Sequence, residues 1–233
     1  MSSIIKNLQQ VQHQIAVSAE RAQRAPSSVQ LLAVSKTFGP EAVAQAVQAG
    51  QLAFGENYLQ EALDKIAAMQ ALAPAARLQW HFIGPIQSNK TRPIAEHFDW
   101  VHSVDRVKIA RRLSEQRPAE LPPLNICLQV NISAEESKSG LAPQELMEAA
   151  AEVAGLPNLR LRGLMAIPEP TEDIARQRAA FAQVRELYAA LRAAGLPLDT
   201  LSMGMSADLE AAVAEGATIV RIGSAIFGAR NYA

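Results

Sequence analysis

The 233-residue chain contains little cysteine, no excess of either charge and no long apolar segment. Its single cysteine, Cys127, cannot form an internal disulfide, which predicts a small core residue and a reducing compartment. The 22 basic and 23 acidic residues form no long run of one sign, which argues against binding to nucleic acid or an anionic membrane. No segment approaches the roughly 18 apolar residues of a membrane span, and residues 1–20 lack a signal-peptide core. A soluble, cytoplasmic protein is predicted.

Linkers and low-complexity segments are also absent from the sequence, and a regular alternation fills the chain instead. Apolar residues at helical spacing over residues 3–24 predict an amphipathic helix before the first strand. Strands are then predicted near residues 30–35, 51–55, 78–83, 99–103, 124–131, 159–167, 198–203 and 218–223. Helices are predicted between them, near residues 40–49, 57–71, 87–97, 105–116, 143–154, 171–194 and 206–215.

This alternation of strands and helices requires a parallel sheet. Eight units in a chain of 233 residues favour an α/β fold with a single (β/α)8, or TIM, barrel and an extra N-terminal helix. An open, doubly wound sheet is the alternative. Because no linker interrupts the pattern, residues 1–233 are predicted to form one domain. In such a barrel the ligand site lies at the C-terminal ends of the strands, and phosphate groups favour the loops after strands seven and eight.

A lysine, Lys36, follows the first predicted strand, whose residues 31–34 form a short apolar run. An ammonium group costs several kcal/mol to desolvate without a partner, so a lysine at the mouth of a core strand is usually paired or used as a neutral amine. Taken alone, this stretch favours a surface lysine just past the strand. The residues that follow the other strands change that balance.

Small and hydroxyl-bearing residues follow the last two predicted strands. Ser202 and Ser206 flank Gly204 after strand seven, and Gly223 and Ser224 follow strand eight. Backbone and hydroxyl donors of this kind suit an anion at the start of a helix. Each turn alone is also explained by helix capping or by a tight turn. Two such turns at adjacent strand ends form a more specific signal for a phosphate site.

Other strand ends supply residues with two interpretations. Asn57 lines a ligand or starts a helix, and Met165 packs against a flat ring or belongs to the core. His81 lies in an apolar run, where a hydrogen-bonded core histidine is commoner than a catalyst. Lys138, in a polar loop after strand five, guides a phosphate ligand or is simply exposed, and the second interpretation is favoured.

Taken together, these motifs resemble the YggS/PROSC family of pyridoxal 5′-phosphate (PLP)-binding homeostasis proteins. The resemblance runs in order from about residue 30 to Tyr232. It is carried by Val34–Thr37, Phe54–Tyr58, His81–Gly84, Val130–Asn131 with Lys138–Gly140, Arg162–Met165, Ser202–Ser206, and Val220–Gly223 with Ile226–Gly228.

The resemblance implies a barrel like the N-terminal domain of alanine racemase, of fold type III, with PLP held as a Schiff base on Lys36. It implies that Arg221 faces the pyridine nitrogen; guanidinium cannot accept a proton, so the ring would be a weaker electron sink. The implied phosphate contacts are Ser202, Ser206, Gly223 and Ser224, and the predicted cofactor site also includes Asn57, His81 and Met165. No catalytic residue and no metal ligand is predicted.

Three functions are compatible with these motifs: a PLP carrier for homeostasis, a PLP-dependent amino-acid racemase of the alanine-racemase type, and a phosphosugar enzyme without a covalent cofactor. The eighth predicted strand ends about ten residues before Ala233, so no second domain of the racemase kind is expected. We therefore predict a carrier without appreciable amino-acid turnover, a monomer whose partners are PLP and PLP-dependent apoenzymes. Phe38 stands where many family members have a second lysine, and the basic tail of some members is missing, which puts a transfer role for those lysines in doubt.

Overall fold

The computed structural model describes residues 2–133 and 139–229 and contains a closed barrel of eight parallel strands. The strands follow one another around the barrel in chain order, and β8 pairs with β1 through Ala33 and Ile222. Closure confirms the (β/α)8 prediction and excludes the open sheet. The strands are β1 (Gln30–Val34), β2 (Ala53–Glu56), β3 (Gln79–Phe82), β4 (Trp100–Val104), β5 (Leu124–Gln129), β6 (Leu159–Met165), β7 (Thr200–Ser202) and β8 (Ile219–Ile222).

Helices surround the barrel, and each predicted helix is present with its bounds shifted by a few residues. They are α1 (Ser3–Arg21), α2 (Pro40–Gln48), α3 (Leu59–Leu72), α4 (Thr91–His97), α5 (Val107–Gln116), α6 (Leu146–Ala154), α7 (Ile174–Ala193), α8 (Leu209–Ala214) and α9 (Ser224–Phe227). Short 3₁₀ turns span Pro26–Ser28 and Ser88–Lys90. The sequence did not predict α9, because one helical turn is too short to show a periodic pattern.

The extra helix α1 packs on α8 and α9 at the place where the barrel closes. It buries Leu8, Val11 and Ile15 against the core, and its Asn7 side chain donates a hydrogen bond to the Ile226 carbonyl over 3.0 Å. These contacts hold α9, which follows the turn after β8, against the barrel. Within the described residues no helix has the length and apolar content needed to cross a membrane.

A small apolar cluster, separate from the main core between strands and helices, lies inside the barrel. Its buried members are Leu32, Ala53, Trp100, Cys127, Met165 and Ile219. The Cys127 side chain is fully buried, and desolvation raises the pKa of its thiol to about 12. The predicted role of this residue as a small core side chain is confirmed. Leu32 is paired in register with Arg221 and Met165 with Ser202, so apolar and polar residues share the same levels of the barrel.

Candidate functional site

Lys36 lies directly after β1 and is half-buried at the C-terminal mouth of the barrel. The chain turns sharply there, because the Phe38 N–H donates to the Ser35 carbonyl over 3.1 Å. Thr37 has a φ of 69°, a left-handed conformation that residues other than glycine seldom adopt. Its N–H donates to the Glu61 carboxylate over 2.6 Å. The lysine is therefore carried by a short, strained and specifically supported loop.

The turn after β8 lies beside this loop. A Cβ atom added to Gly223 would lie 3.1 Å from the Val34 carbonyl oxygen, a tight contact that shows how closely this turn approaches the end of β1. Gly223 is half-buried, and the adjacent Ser224 is exposed at the start of α9. The structure thus brings Lys36, Gly223 and Ser224 to the same part of the barrel mouth.

The turn between β7 and α8 also depends on a glycine. Gly204 has a φ of 98°, and an added Cβ would lie only 2.5 Å from the Ala212 Cβ. Ser206 is exposed in this turn. It is not a helix cap, because α8 begins after Asp208, whose carboxylate instead accepts the Met205 N–H over 2.6 Å. The Ser206 hydroxyl is therefore exposed to solvent in the turn between β7 and α8.

A chain of buried polar side chains crosses the barrel interior beneath the mouth. Arg221 Nη1 lies 2.8 Å from Ser202 Oγ, and His102 Nδ1 lies 2.6 Å from the same hydroxyl oxygen. His102 Nε2 lies 2.9 Å from His81 Nδ1, and the His81 ring stacks on Trp100 with a centroid separation of 5.3 Å. Both histidines and the serine are fully buried.

His81 and His102, the two histidines of this hydrogen-bonded series, are neutral. Desolvation lowers the pKa of His81 to about 3, and desolvation, followed by the charges of His81 and Arg221, lowers the pKa of His102 well below its usual value. The available donors and acceptors then determine the direction of the hydrogen bonds between these side chains. Arg221 donates to Ser202, the Ser202 hydroxyl donates to His102 Nδ1, and His102 Nε2–H donates to His81 Nδ1. The opposite direction would leave the Ser202 hydroxyl proton without an acceptor.

Arg221 is a fixed cation at the upper end of this chain. Its side chain is almost fully buried, and it also donates to the carbonyls of Ser202, over 2.6 Å, and Ala166, over 2.9 Å. Desolvation lowers the pKa of its guanidinium to about 10, and the nearby Asp208 carboxylate opposes this shift. At neutral pH the group therefore remains protonated and cannot accept a proton.

A cavity of about 330 Å³ opens at the same end of the barrel, within the ~300–1,000 Å³ range of small-molecule pockets. Asn57 is the one predicted cofactor residue in its wall, and its side-chain oxygen is buried without a hydrogen-bond partner among the described residues. Other polar wall residues include Ser103, Asp105, Gln129, Asn131 and Ser139. A buried acceptor of this kind suits a ligand that donates a hydrogen bond.

A larger cavity, about 480 Å³, lies at the opposite, N-terminal end of the barrel. Its buried amide, Gln51, already donates to the carbonyls of Leu31 and Ala53. Ligand sites of these barrels lie at the C-terminal end of the strands, where the chemistry-bearing residues of this chain also converge. We therefore take the C-terminal mouth as the candidate site.

Comparison with known proteins identifies the family of this chain. Residues 6–231 match the model of the alanine racemase N-terminal domain family. The chain is 65% identical over 232 residues to the pyridoxal phosphate homeostasis protein of Pseudomonas aeruginosa, an alignment that covers 100% of this chain and 98% of that protein. This chain belongs to the pyridoxal phosphate homeostasis protein family. The family predicted from the sequence motifs is thereby confirmed.

Solved structures support the family and the fold. PipY of Synechococcus elongatus, solved with PLP bound, is 39% identical to this homeostasis family member, with a TM-score of 0.83 and coverage of 97% of this chain and 100% of that one. Alanine racemase of Clostridium difficile has a TM-score of 0.70 at 12% identity, with 92% of this chain and 56% of the racemase covered. The second likeness shows the fold alone and confirms the alanine-racemase-like barrel.

The predicted site residues of this family member fall into three groups. Lys36 and the three residues Ser206, Gly223 and Ser224 are at least partly accessible at the mouth, and Asn57 lines the neighbouring cavity. Four others, including the buried Arg221, lie inside the barrel. His81 is the hydrogen-bonded core histidine that its sequence context favoured, Met165 belongs to the small apolar cluster, and Ser202 is engaged by His102 and Arg221. Lys138 lies outside the described residues.

Sequence reasoning overlooked two sets of residues in this chain. The first is His102. Side chains alternate between the two faces of a strand, so His102 lies on the same face of β4 as Trp100. Because β4 pairs with β3, this pattern contained a signal for a contact with His81. The second set is the buried ion-pair cluster of Glu56, Glu61 and Lys65 beside the Lys36 loop. No sequence signal distinguished these residues from ordinary charges on a helix and its preceding turn.

Proposed function

We propose that this chain binds PLP at the C-terminal mouth of the barrel and holds it covalently through the Lys36 amine. The observation that carries the proposal is the adjacency of the Lys36 loop and the Gly223–Ser224 turn, with the buried cation of Arg221 beneath them. Its relatives support it, since PipY has been solved with PLP bound and the Pseudomonas relative is named for PLP homeostasis.

The residues at the mouth fit such a cofactor. Exposed hydroxyls on Ser206 and Ser224, together with backbone N–H groups of a glycine turn, suit a phosphate dianion. The half-buried Lys36 suits attachment to an aldehyde, and the Asn57 oxygen, which has no partner among the described residues, suits a donor on a bound ligand. When bound, PLP supplies that aldehyde and an electron-withdrawing ring.

Arg221 supports the second part of the proposal, that amino acids are not turned over appreciably. Its guanidinium is held by Ser202 and Ala166 and stays protonated at neutral pH. A cation at the ring nitrogen leaves that nitrogen unprotonated, and an unprotonated ring stabilises a carbanion poorly. This feature favours a carrier over the racemase alternative.

Phe38 supports a site with a single reactive amine in this loop. Its ring packs against Phe227 of α9 with a centroid separation of 5.3 Å. The aromatic pair ties the Lys36 loop to the turn after β8, in place of a second lysine. Delivery to PLP-dependent apoenzymes and a monomeric state are parts of the proposal that a loading assay with an apoenzyme and sedimentation analysis would check.

The visible spectrum of the purified protein, recorded before and after borohydride, tests the proposal. We expect PLP to produce a visible band that borohydride removes, and peptide mapping to find the reduced cofactor on Lys36. The variant Lys36→Ala should lose the band and keep the fold, whereas Lys108→Ala, an exposed lysine on α5, should behave as wild type. A colourless protein would contradict the proposal and favour the phosphosugar alternative. Label on a different lysine would contradict the assignment of the attachment site to Lys36.

Turnover is tested separately, by incubating the loaded protein with each common amino acid and analysing chirality, keto acid and carbon dioxide. A typical enzyme turns over at about 10 per second, and we expect a rate more than a hundredfold below this value. A rate near the ordinary one, lost in Lys36→Ala, would establish the racemase or another enzyme function instead.

A further inference from the structure

A cluster of three charged side chains, two of them buried and the third partly exposed, lies behind the Lys36 loop. Lys65, on α3, has 2% of its side chain exposed, and its ammonium lies 2.5 Å from Glu56 Oε1 and 3.0 Å from Glu61 Oε1. Glu56, at the end of β2, is fully buried. Desolvation raises the pKa of its carboxyl, although the neighbouring ammonium opposes the shift. Burial of such charges costs free energy unless close pairing and further hydrogen bonds offset their desolvation.

These hydrogen bonds converge on the loop that carries Lys36. The Lys65 ammonium donates to the Ser35 carbonyl over 2.9 Å, and the Ser35 hydroxyl donates to Glu56 Oε1 over 2.6 Å. On the other side of Lys36, the Thr37 N–H donates to Glu61 Oε1 over 2.6 Å. Both chain neighbours of Lys36 are therefore bonded to one rigid cluster.

The conformation of Thr37 makes this support necessary. A β-branched residue at a φ of 69° is strained, and such a conformation persists only where the surroundings fix it. The Glu61 carboxylate accepts the one N–H that this conformation turns outward from the loop. Without that acceptor the loop would relax, and the direction of the preceding Lys36 side chain would change with it.

We propose that Lys65 and Glu61 are positioning residues for Lys36, which hold the loop so that the lysine amine meets the aldehyde carbon of PLP. The inference rests on the proposed function. The step served is condensation, in which the neutral amine adds to the carbonyl carbon, the carbonyl oxygen leaves as water and a carbon–nitrogen double bond forms. Lys65 and Glu61 are hydrogen-bonded to the backbone of residues 35 and 37, and in this proposal they act on Lys36 through that backbone.

The proposal separates attachment from binding, so two probes are needed. PLP reports attachment to Lys36 through the borohydride-sensitive visible band. Pyridoxine 5′-phosphate has the same ring and phosphate but no aldehyde, and it reports binding alone. A misplacement of about 1 Å commonly slows a reaction by about 100-fold, so we expect Lys65→Met and Glu61→Ala to slow attachment by roughly 10- to 100-fold. Their affinity for pyridoxine 5′-phosphate should equal that of wild type.

A matched pair at Glu61 isolates the hydrogen bond. Glu61→Gln retains the oxygen that accepts the Thr37 N–H and should attach PLP nearly as fast as wild type, whereas Glu61→Ala should not. Because a third of the Glu61 side chain is exposed, both variants should fold even if Lys65→Met does not. Glu215→Gln is the control for disruption elsewhere, since Glu215 is buried between Arg178 and Arg185 after α8, away from the mouth.

The outcomes are distinct. Slow attachment in Glu61→Ala, with normal rates in Glu61→Gln and Glu215→Gln, would support the inference. Wild-type attachment rates in Glu61→Ala and Lys65→Met would overturn it and leave the PLP-binding proposal intact. Equal losses of affinity for both probes would also overturn it, because they would indicate general disruption. If the wild-type protein binds neither probe, the proposed function fails and the inference fails with it.

Discussion

The buried histidine pair makes the stability of this protein sensitive to acid. Between its two pKa values, a group whose pKa is lower in the folded state takes up a proton only on unfolding. Its contribution to stability is therefore fully present above the unfolded pKa of about 6.5 and decreases as the pH falls towards the folded pKa. For His81 that folded value is about 3. His102, whose pKa is also lowered, adds a loss of the same sign.

The size of the effect follows from the linkage relation. Between pH 7 and pH 5, a site with a pKa of about 3 when folded and about 6.5 when unfolded loses about 2 kcal/mol of stability. Native domains have only about 5–15 kcal/mol to lose. The carboxyls of Glu56, Asp99 and Asp208 have raised pKa values and contribute with the opposite sign over their own range. The pH effect must therefore be measured as a difference between two proteins.

The appropriate comparison is wild type with His81→Phe, which keeps a ring on Trp100 but removes the titrating group. Urea unfolding at pH 7 and pH 5 gives the free energy of unfolding of each protein. We expect the wild type to lose about 2 kcal/mol more than the variant over this range, although the variant itself is less stable at pH 7 because His102 loses a partner. His97→Gln, at an exposed histidine, should show the wild-type pH dependence. Equal pH dependence in wild type and His81→Phe would refute the assignment of a neutral, buried His81.

Three further predictions concern single residues. Ser206→Ala should weaken PLP retention by about 1.5–3 kcal/mol without lowering the melting temperature, whereas Ser202→Ala should lower the melting temperature, because His102 and Arg221 lose a shared partner; the reverse pattern would show that Ser202 is the main phosphate contact. Gly204→Ala should destabilise the protein by roughly 1–3 kcal/mol in thermal unfolding, since its φ is 98° and the new Cβ would meet Ala212, and a neutral result would contradict the turn geometry. Cys127 should resist thiol reagents at pH 8 until urea unfolds the chain. Rapid labelling of the native protein would show that the barrel interior around Cys127 is accessible to the reagent.

The sequence by itself determined the order of the elements and the position of Lys36 after the first strand. Strand and helix periodicity is a local property of the chain, so the order followed from spacing alone, and the number of units favoured a closed barrel over an open sheet. Because all parallel strands of a barrel end at the same face, strand order alone was enough to place Lys36, Gly223 and Ser224 at one mouth. The one-turn helix α9 was missed, since it has too few residues for a period.

Only the tertiary structure decided which side chains meet inside the barrel. Ser202 and His102 are 100 residues apart in the chain, and their contact depends on the register around half the barrel, including the shift within β4–β5 pairing. Register moves by single residues, and each step turns a side chain from one face to the other, which no local pattern specifies. The same holds for Lys65, whose ammonium reaches Ser35 only because α3 packs behind β1 and β2. The sequence therefore determined where the site is, and packing determined what holds Lys36 and Arg221 in place.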